Sequence, residues 1–120
     1  MEIHHLQLSL VFFGLAALVG LYMLSRFYRG LQRRNGTMLL HGLFAAAALG
    51  ILIYYSAFES SNNVPFASIV FFIIAVFGGL FMAVWDKVMS RKMPRYFPLV
   101  HAGAAVTGVV LLIVFMLNHP

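Results

Sequence analysis

Two histidines, His41 and His101, lie inside long apolar stretches of the chain, while His4, His5 and His119 sit at its two ends. An imidazole among Leu, Ala, Val and Phe is either packed against a carbonyl that accepts its proton or is a ligand, and its neutral form is tolerated in hydrocarbon. Met23 and Met82 lie in the other two apolar stretches, each about one helical turn from a group of basic residues. Two imidazoles alone suit the axial positions of haem iron, whereas thioether and imidazole together suit soft Cu(I). The chain has no cysteine, which excludes disulfides, thiolate metal sites, Fe–S clusters and a cysteine nucleophile. No Asp, Glu, Lys or Arg falls within an apolar stretch, which argues against a proton relay or an ion-coupled transporter. No glycine loop precedes a Lys in a phosphate-binding pattern, and no Ser or Thr has a general base beside it.

The elements that position these residues follow from composition. Of 120 residues, 62% are hydrophobic and 9% charged, against roughly a quarter charged in soluble domains. A soluble globule and a disordered tail are both excluded. A bilayer core about 30 Å thick needs roughly 20 apolar residues of helix, and charge-free runs of that length occur at Leu6–Ser25, Met38–Phe58, Phe66–Trp85 and Leu99–Leu117. None alternates polar and apolar residues as barrel strands do. Length predicts a single transmembrane domain, 1–120. Asn35-Gly36 is expected to close the first loop, Pro65 to open the third helix, and Pro94 and Pro98 to bracket entry into the fourth. The first run, with Glu2 before it and basic residues after it, reads as a retained anchor.

The net charge of +5 marks topology and carries no expectation of nucleic acid. All eight Lys and Arg fall in two loops, Arg26, Arg29, Arg33 and Arg34 in the first and Lys87, Arg91, Lys92 and Arg95 in the third. By the positive-inside rule these loops are cytoplasmic, and both termini lie outside with the loop that begins Glu59-Ser-Ser-Asn-Asn-Val. The expected location is a bacterial inner membrane.

The chain also repeats itself. Val11-Phe-Phe with Gly20-Leu-Tyr-Met23 matches Val70-Phe-Phe with Gly79-Leu-Phe-Met82 at an offset of 59, and Leu39-Leu-His41-Gly matches Leu99-Val-His101-Ala at an offset of 60. These matches predict two tandem helical hairpins, at about 6–60 and 64–118. Each copy holds an even number of spans, so the expected fold is an all-α integral membrane four-helix bundle, a parallel repeat whose axis lies along the membrane normal. Equivalent residues then share one depth. His41 and His101 stand level with each other and with Met23 and Met82, giving a layer that reads Met, His, Met, His.

In line with the histidines on their own helices are small residues, Ala45 and Ala48 after His41, and Ala105 and Gly108 after His101, followed by Leu52 and Leu112. Such a stripe either packs helices closely or leaves room for a flat cofactor. With neighbouring helices about 8–10 Å apart, diagonal helices are separated by on the order of 12–14 Å, which admits a porphyrin between two imidazoles. Arg34 and Arg95, with the other loop cations, lie at the end where propionates would need neutralising. Phe12, Phe13, Phe71 and Phe72 are expected in lipid or at a subunit contact.

A four-helix membrane protein with one histidine near the start of each even-numbered helix resembles the membrane-embedded b-type cytochromes. His41-Gly42 and His101-Ala102, with glycines downstream, are also similar to short bacterial membrane proteins built on such a duplication. The resemblance implies a haem b held by His41 and His101, and electron transfer with membrane redox subunits or a second copy of the chain as partners. A second haem would have only His4, His5 and His119 to use. The alternatives are a copper site that adds Met23 and Met82, and an accessory membrane subunit that holds no cofactor. Reporter fusions test the topology: fusions to the first and third loops report a cytoplasmic location and fusions to either terminus report the opposite side. A cytoplasmic C-terminus overturns the topology.

Overall fold

Each of the four apolar runs is helical in the structure, a computed structural model in which residues 2–59, 63–89 and 91–119 are described. The helices are α1 (Glu2–Tyr28), α2 (Asn35–Tyr54), α3 (Phe66–Val88) and α4 (Phe97–Asn118), with a π-helical turn at Tyr55–Glu59. No strand occurs among the described residues. The 20 residues of α2, the shortest helix, span about 30 Å, so every helix is long enough to cross a bilayer core. Within each apolar window only 11–17% of residues are buried inside the chain. The remaining apolar side chains face outward, which fits an integral membrane protein surrounded by lipid and no soluble one.

Each helix runs past its apolar core at one end at least, α2 only at its start, because polar residues at the membrane boundary still form helix. Termini obey local rules. After α1, the Gly30 N–H donates to the Phe27 carbonyl (3.1 Å) and the Leu31 N–H to the Arg26 carbonyl (3.0 Å). This is a glycine-closed helix end, with Gly30 at φ +73° where a side chain would be strained. Asn35-Gly36 closes the loop as expected, α2 beginning at Asn35. Pro98 sits in the first turn of α4, where its missing N–H leaves no bond unmade. α2 ends earlier than the expected Phe58, giving way to the π turn, where the Ser56 hydroxyl donates to the Leu52 carbonyl at 2.9 Å. Of the expected outer loop, Ser60, Ser61 and Asn62 lie outside the described residues.

The chain divides into two compact units, 1–64 with 116–120 and 65–115. In the first, α1 and α2 are tied by two reciprocal side-chain bonds. The Ser9 hydroxyl of α1 donates to the Ala48 carbonyl of α2 at 2.8 Å, and His41 Nδ1–H of α2 donates to the Ala16 carbonyl of α1 at 2.8 Å. Donor and acceptor sites are seven residues apart on each helix, two turns, so one antiparallel register satisfies both bonds. Leu6, Ser9, Phe13 and Ala16 form the buried stripe of α1, and Ala48 and Leu52 that of α2.

In the second unit, Pro65, Ser68, Phe72 and Ala75 are buried, the positions 59 residues beyond Leu6, Ser9, Phe13 and Ala16. Gly108 and Leu112, 60 residues beyond Ala48 and Leu52, are buried as well. Phe72 lies flat on Gly108, where an added Cβ would meet its ring at 2.8 Å. The expectation that Phe13 and Phe72 face lipid is therefore corrected: both are buried, while Phe12 and Phe71 are half-exposed. A Phe opposite a Gly packs two helices closely, which is how helices associate where lipid removes the hydrophobic drive.

The Gly108→Ala variant tests this packing, since Phe72 is only 3% exposed and has nowhere to swing. Overpacking there should cost on the order of 1–3 kcal/mol in unfolding free energy. Gly103→Ala, at a glycine with nothing within 4 Å, should be neutral or slightly stabilising. Thermal or denaturant unfolding in one detergent checks the contrast.

Candidate functional site

Each histidine is seated on the first helix of its own hairpin. His41 lies across Gly20 of α1, where an added Cβ would stand 3.0 Å from the ring's Cε1 and 3.3 Å from Nδ1. The carbonyl that accepts its Nδ1–H is that of Ala16, which within α1 is the acceptor of the Gly20 amide. His41 thus uses the second lone pair of a helical carbonyl, and the bare backbone at Gly20 is what lets the ring reach it. A carbonyl can only accept, so Nδ1 carries the proton and the neutral ring presents its lone pair at Nε2.

The ring of His101 also rests on glycine, with its Nδ1 buried. An added Cβ on Gly79 of α3 would lie 3.2 Å from its Cε1, and one on Gly78 would lie 3.6 Å from its Nδ1. Gly79 stands 59 residues beyond Gly20 and His101 stands 60 beyond His41, so the ring-on-glycine contact is made twice by matched residues. Both histidines are half-buried.

The other residues singled out from sequence divide into three groups. Ala48 and Gly108 are taken up by packing, Ala48 lending its carbonyl to Ser9 and Gly108 meeting Phe72. Both therefore serve close packing within their own hairpins, one of the two uses expected of such a stripe. Ala45 and Ala105, nearer the histidines, are half-buried, as are Met23 and Met82. Arg34 and Arg95 are exposed at the loop end, Arg34 immediately before α2 and Arg95 in the turn before α4. Among the described residues no group of three or more His, Asp or Glu could hold a metal ion. At the far end of α1, the His5 ring tilts against Tyr54 at 5.9 Å, and its Nδ1 is buried without a hydrogen-bond partner among the described residues.

Sequence reasoning missed the residues that hold the histidines. Gly20 and Gly79 belonged to the repeated motif but carried no role of their own. Ser9 and Ser68 extend that motif as Ser-x-Val-Phe-Phe in both copies, a signal present in the sequence. Ala16 contributes only a backbone carbonyl and no side-chain pattern could mark it.

No family model, characterised protein or solved structure matches the chain.

The seat predicts a graded response. Gly20→Val should displace the His41 ring and weaken its bond to Ala16, while Gly14→Val, with nothing within 4 Å of an added Cβ, should not. Imidazole nitrogen NMR checks it: the wild-type His41 signal belongs to the Nδ1-protonated ring, and the Gly20 variant alone shifts toward a mixture of tautomers.

Proposed function

We propose that the protein is a haem-b-binding membrane electron carrier in which His41 and His101 supply the two axial imidazoles. The observation that carries this reading is the bond from His41 Nδ1–H to the Ala16 carbonyl. A ligating histidine is held in the same manner, its outer nitrogen donating to a backbone carbonyl so that tautomer and ring plane are fixed and the other nitrogen is free to bind. The ring-on-glycine seat, repeated at Gly79 and His101, supports the same role for the second imidazole. Haem b would supply reversible one-electron transfer. The chain's part is to hold Nε2 of each ring in a dry, apolar layer, with no carboxylate or lysine nearby in the span to titrate.

In this reading the hairpins stand side by side as a parallel repeat about the membrane normal, with the basic loops on the cytoplasmic side of a bacterial inner membrane. The loop cations, Arg95 among them, are there to neutralise propionates. Ala45 and Ala105 are the small residues left beside the rings. A haem held by both His41 and His101 would supply electron transfer in preference to oxygen chemistry, which favours a carrier or redox subunit over a stand-alone enzyme, with other membrane redox subunits or a second copy as electron partners.

One observation favours a second reading, an accessory subunit without a cofactor: both rings already have a packing seat inside their own hairpin. Visible spectroscopy of protein expressed with haem and copper available separates the two. The proposal expects a Soret band of a low-spin bis-imidazole haem, at least tenfold weaker in His41→Ala or His101→Ala and nearly unchanged in Met23→Ala or Met82→Ala. Stoichiometric copper lost on Met or His substitution, without a Soret band, moves the assignment to a Met/His copper site. Neither cofactor leaves the accessory role.

A further inference from the structure

The loop-side corners of the two copies are framed alike and filled differently. In the first, the Arg26 guanidinium donates to the Gln32 carbonyl, from Nη2 at 2.8 Å and from Nε at 3.3 Å. In the second, the Trp85 indole N–H donates to the Arg91 carbonyl at 3.0 Å. Donors and acceptors are both related by the 59-residue offset, so one bond closes both loops. The second corner is then packed with rings. Phe97 lies against Phe81 at 5.6 Å and against Trp85 at 5.5 Å.

At the equivalent positions the first corner has Tyr22 for Phe81, Arg26 for Trp85 and Thr37 for Phe97. The filler ring is missing and cations take the place of the aromatic wall. Arg26 stands over the Tyr22 ring at 5.9 Å, and the charges of Arg34 and Arg26 act on the Tyr22 phenol. Beside this corner, at the start of α2, lies a shallow open groove of about 530 Å³ lined by Arg34, Asn35, Gly36, Thr37 and Leu40. The sequence holds no Asp or Glu between Glu2 and Glu59, so the four arginines of this loop have no carboxylate near them along the chain.

We propose that this groove binds the phosphodiester headgroup of an anionic phospholipid. Arg34 and Arg26 neutralise the phosphate, Thr37 and Asn35 offer polar hydrogens, and Leu40 and the outward face of α2 receive an acyl chain. A basic pocket at the end of membrane helices suits such a headgroup, and the exposed apolar helix surface selects an amphiphile over a free phosphate ester. Arg34 is thereby a lipid ligand instead of a propionate partner. The site does not depend on haem.

Native mass spectrometry of the full-length protein tests it, in detergent with equimolar phosphatidylglycerol and phosphatidylcholine. The measurement is repeated on the His41→Ala/His101→Ala double variant, so that loss of haem and loss of lipid are read separately. The wild type and the double variant should retain phosphatidylglycerol preferentially. Arg34→Gln or Arg26→Gln should each lower that retention about fivefold, the effect expected of one basic residue at a membrane surface. Thr37→Phe, which supplies the ring of the second corner and keeps every charge, should abolish it, and Arg95→Gln in the second corner should leave it unchanged. Circular dichroism confirms that each variant is helical; if Thr37→Phe does not fold, the contrast between Arg34→Gln and Arg95→Gln decides. Equal loss from Arg95→Gln, or full retention in a folded Thr37→Phe, overturns the site. Displacement of the lipid by millimolar inorganic phosphate overturns the lipid assignment in favour of a soluble phosphate compound.

Discussion

Hydrocarbon offers a polypeptide no hydrogen-bond partner, and the structure depends on that constraint at two levels. The backbone satisfies itself by forming helices, which accounts for four helices and no strand among the described residues. Holding those helices together is harder, because lipid is as apolar as leucine and burial alone gives little attraction. What remains is close packing and the few polar groups that can reach a carbonyl on the facing helix. Ser9 and His41 are two such groups, one on each helix of the first hairpin, each donating to the other helix at 2.8 Å. Carbonyls with a spare lone pair are the only backbone acceptors left in a complete helix. A residue with a single donor can therefore set a helix register without breaking the helix it touches.

Close approach has a geometric requirement, and it falls on glycine. His41 lies so close to Gly20 that an added Cβ would press on its ring, and His101 lies on Gly79 under the same condition. Gly108 meets the same requirement from the other side, admitting the Phe72 ring. Gly14, Gly42, Gly50 and Gly103 have open space instead. Sequence spacing alone cannot separate these two groups, since Gly42-xxx-Ala46-xxx-Gly50 has the small-residue pattern of a tight interface and its two glycines are exposed.

That contrast explains how much could be read in advance. The four spans and two hairpins were legible because charge is all but forbidden inside a bilayer, so gaps between Arg and Lys mark the membrane directly. The two histidines and their matched partners were legible because polar residues are rare there. Which apolar residues face inward was not: in a chain with 62% hydrophobic residues, core and lipid faces use the same side chains, and Phe13 and Phe72 were assigned to the wrong one. The first run was read to Ser25 and α1 continues to Tyr28, because the stop is set by Gly30, a glycine just past a basic last turn, and not by the end of the apolar residues.

The matched positions also indicate where function should be sought. Gly20 with His41 and Gly79 with His101 remain alike, down to the ring lying across the bare backbone. The loop corners have lost that likeness, Tyr22 and Thr37 standing where Phe81 and Phe97 pack together. Packing alone would be satisfied by any residue that fills the space, and the second corner is filled in that way by three aromatic rings. Keeping an ionisable ring at both equivalent seats, in a helix where leucine would pack as well, points to a demand on the imidazole itself. At His41 the Nδ1–H is already engaged by the Ala16 carbonyl, so a ligand of that ring would meet Nε2. The matched seats of His41 and His101 are therefore where a ligand or a partner subunit is to be sought.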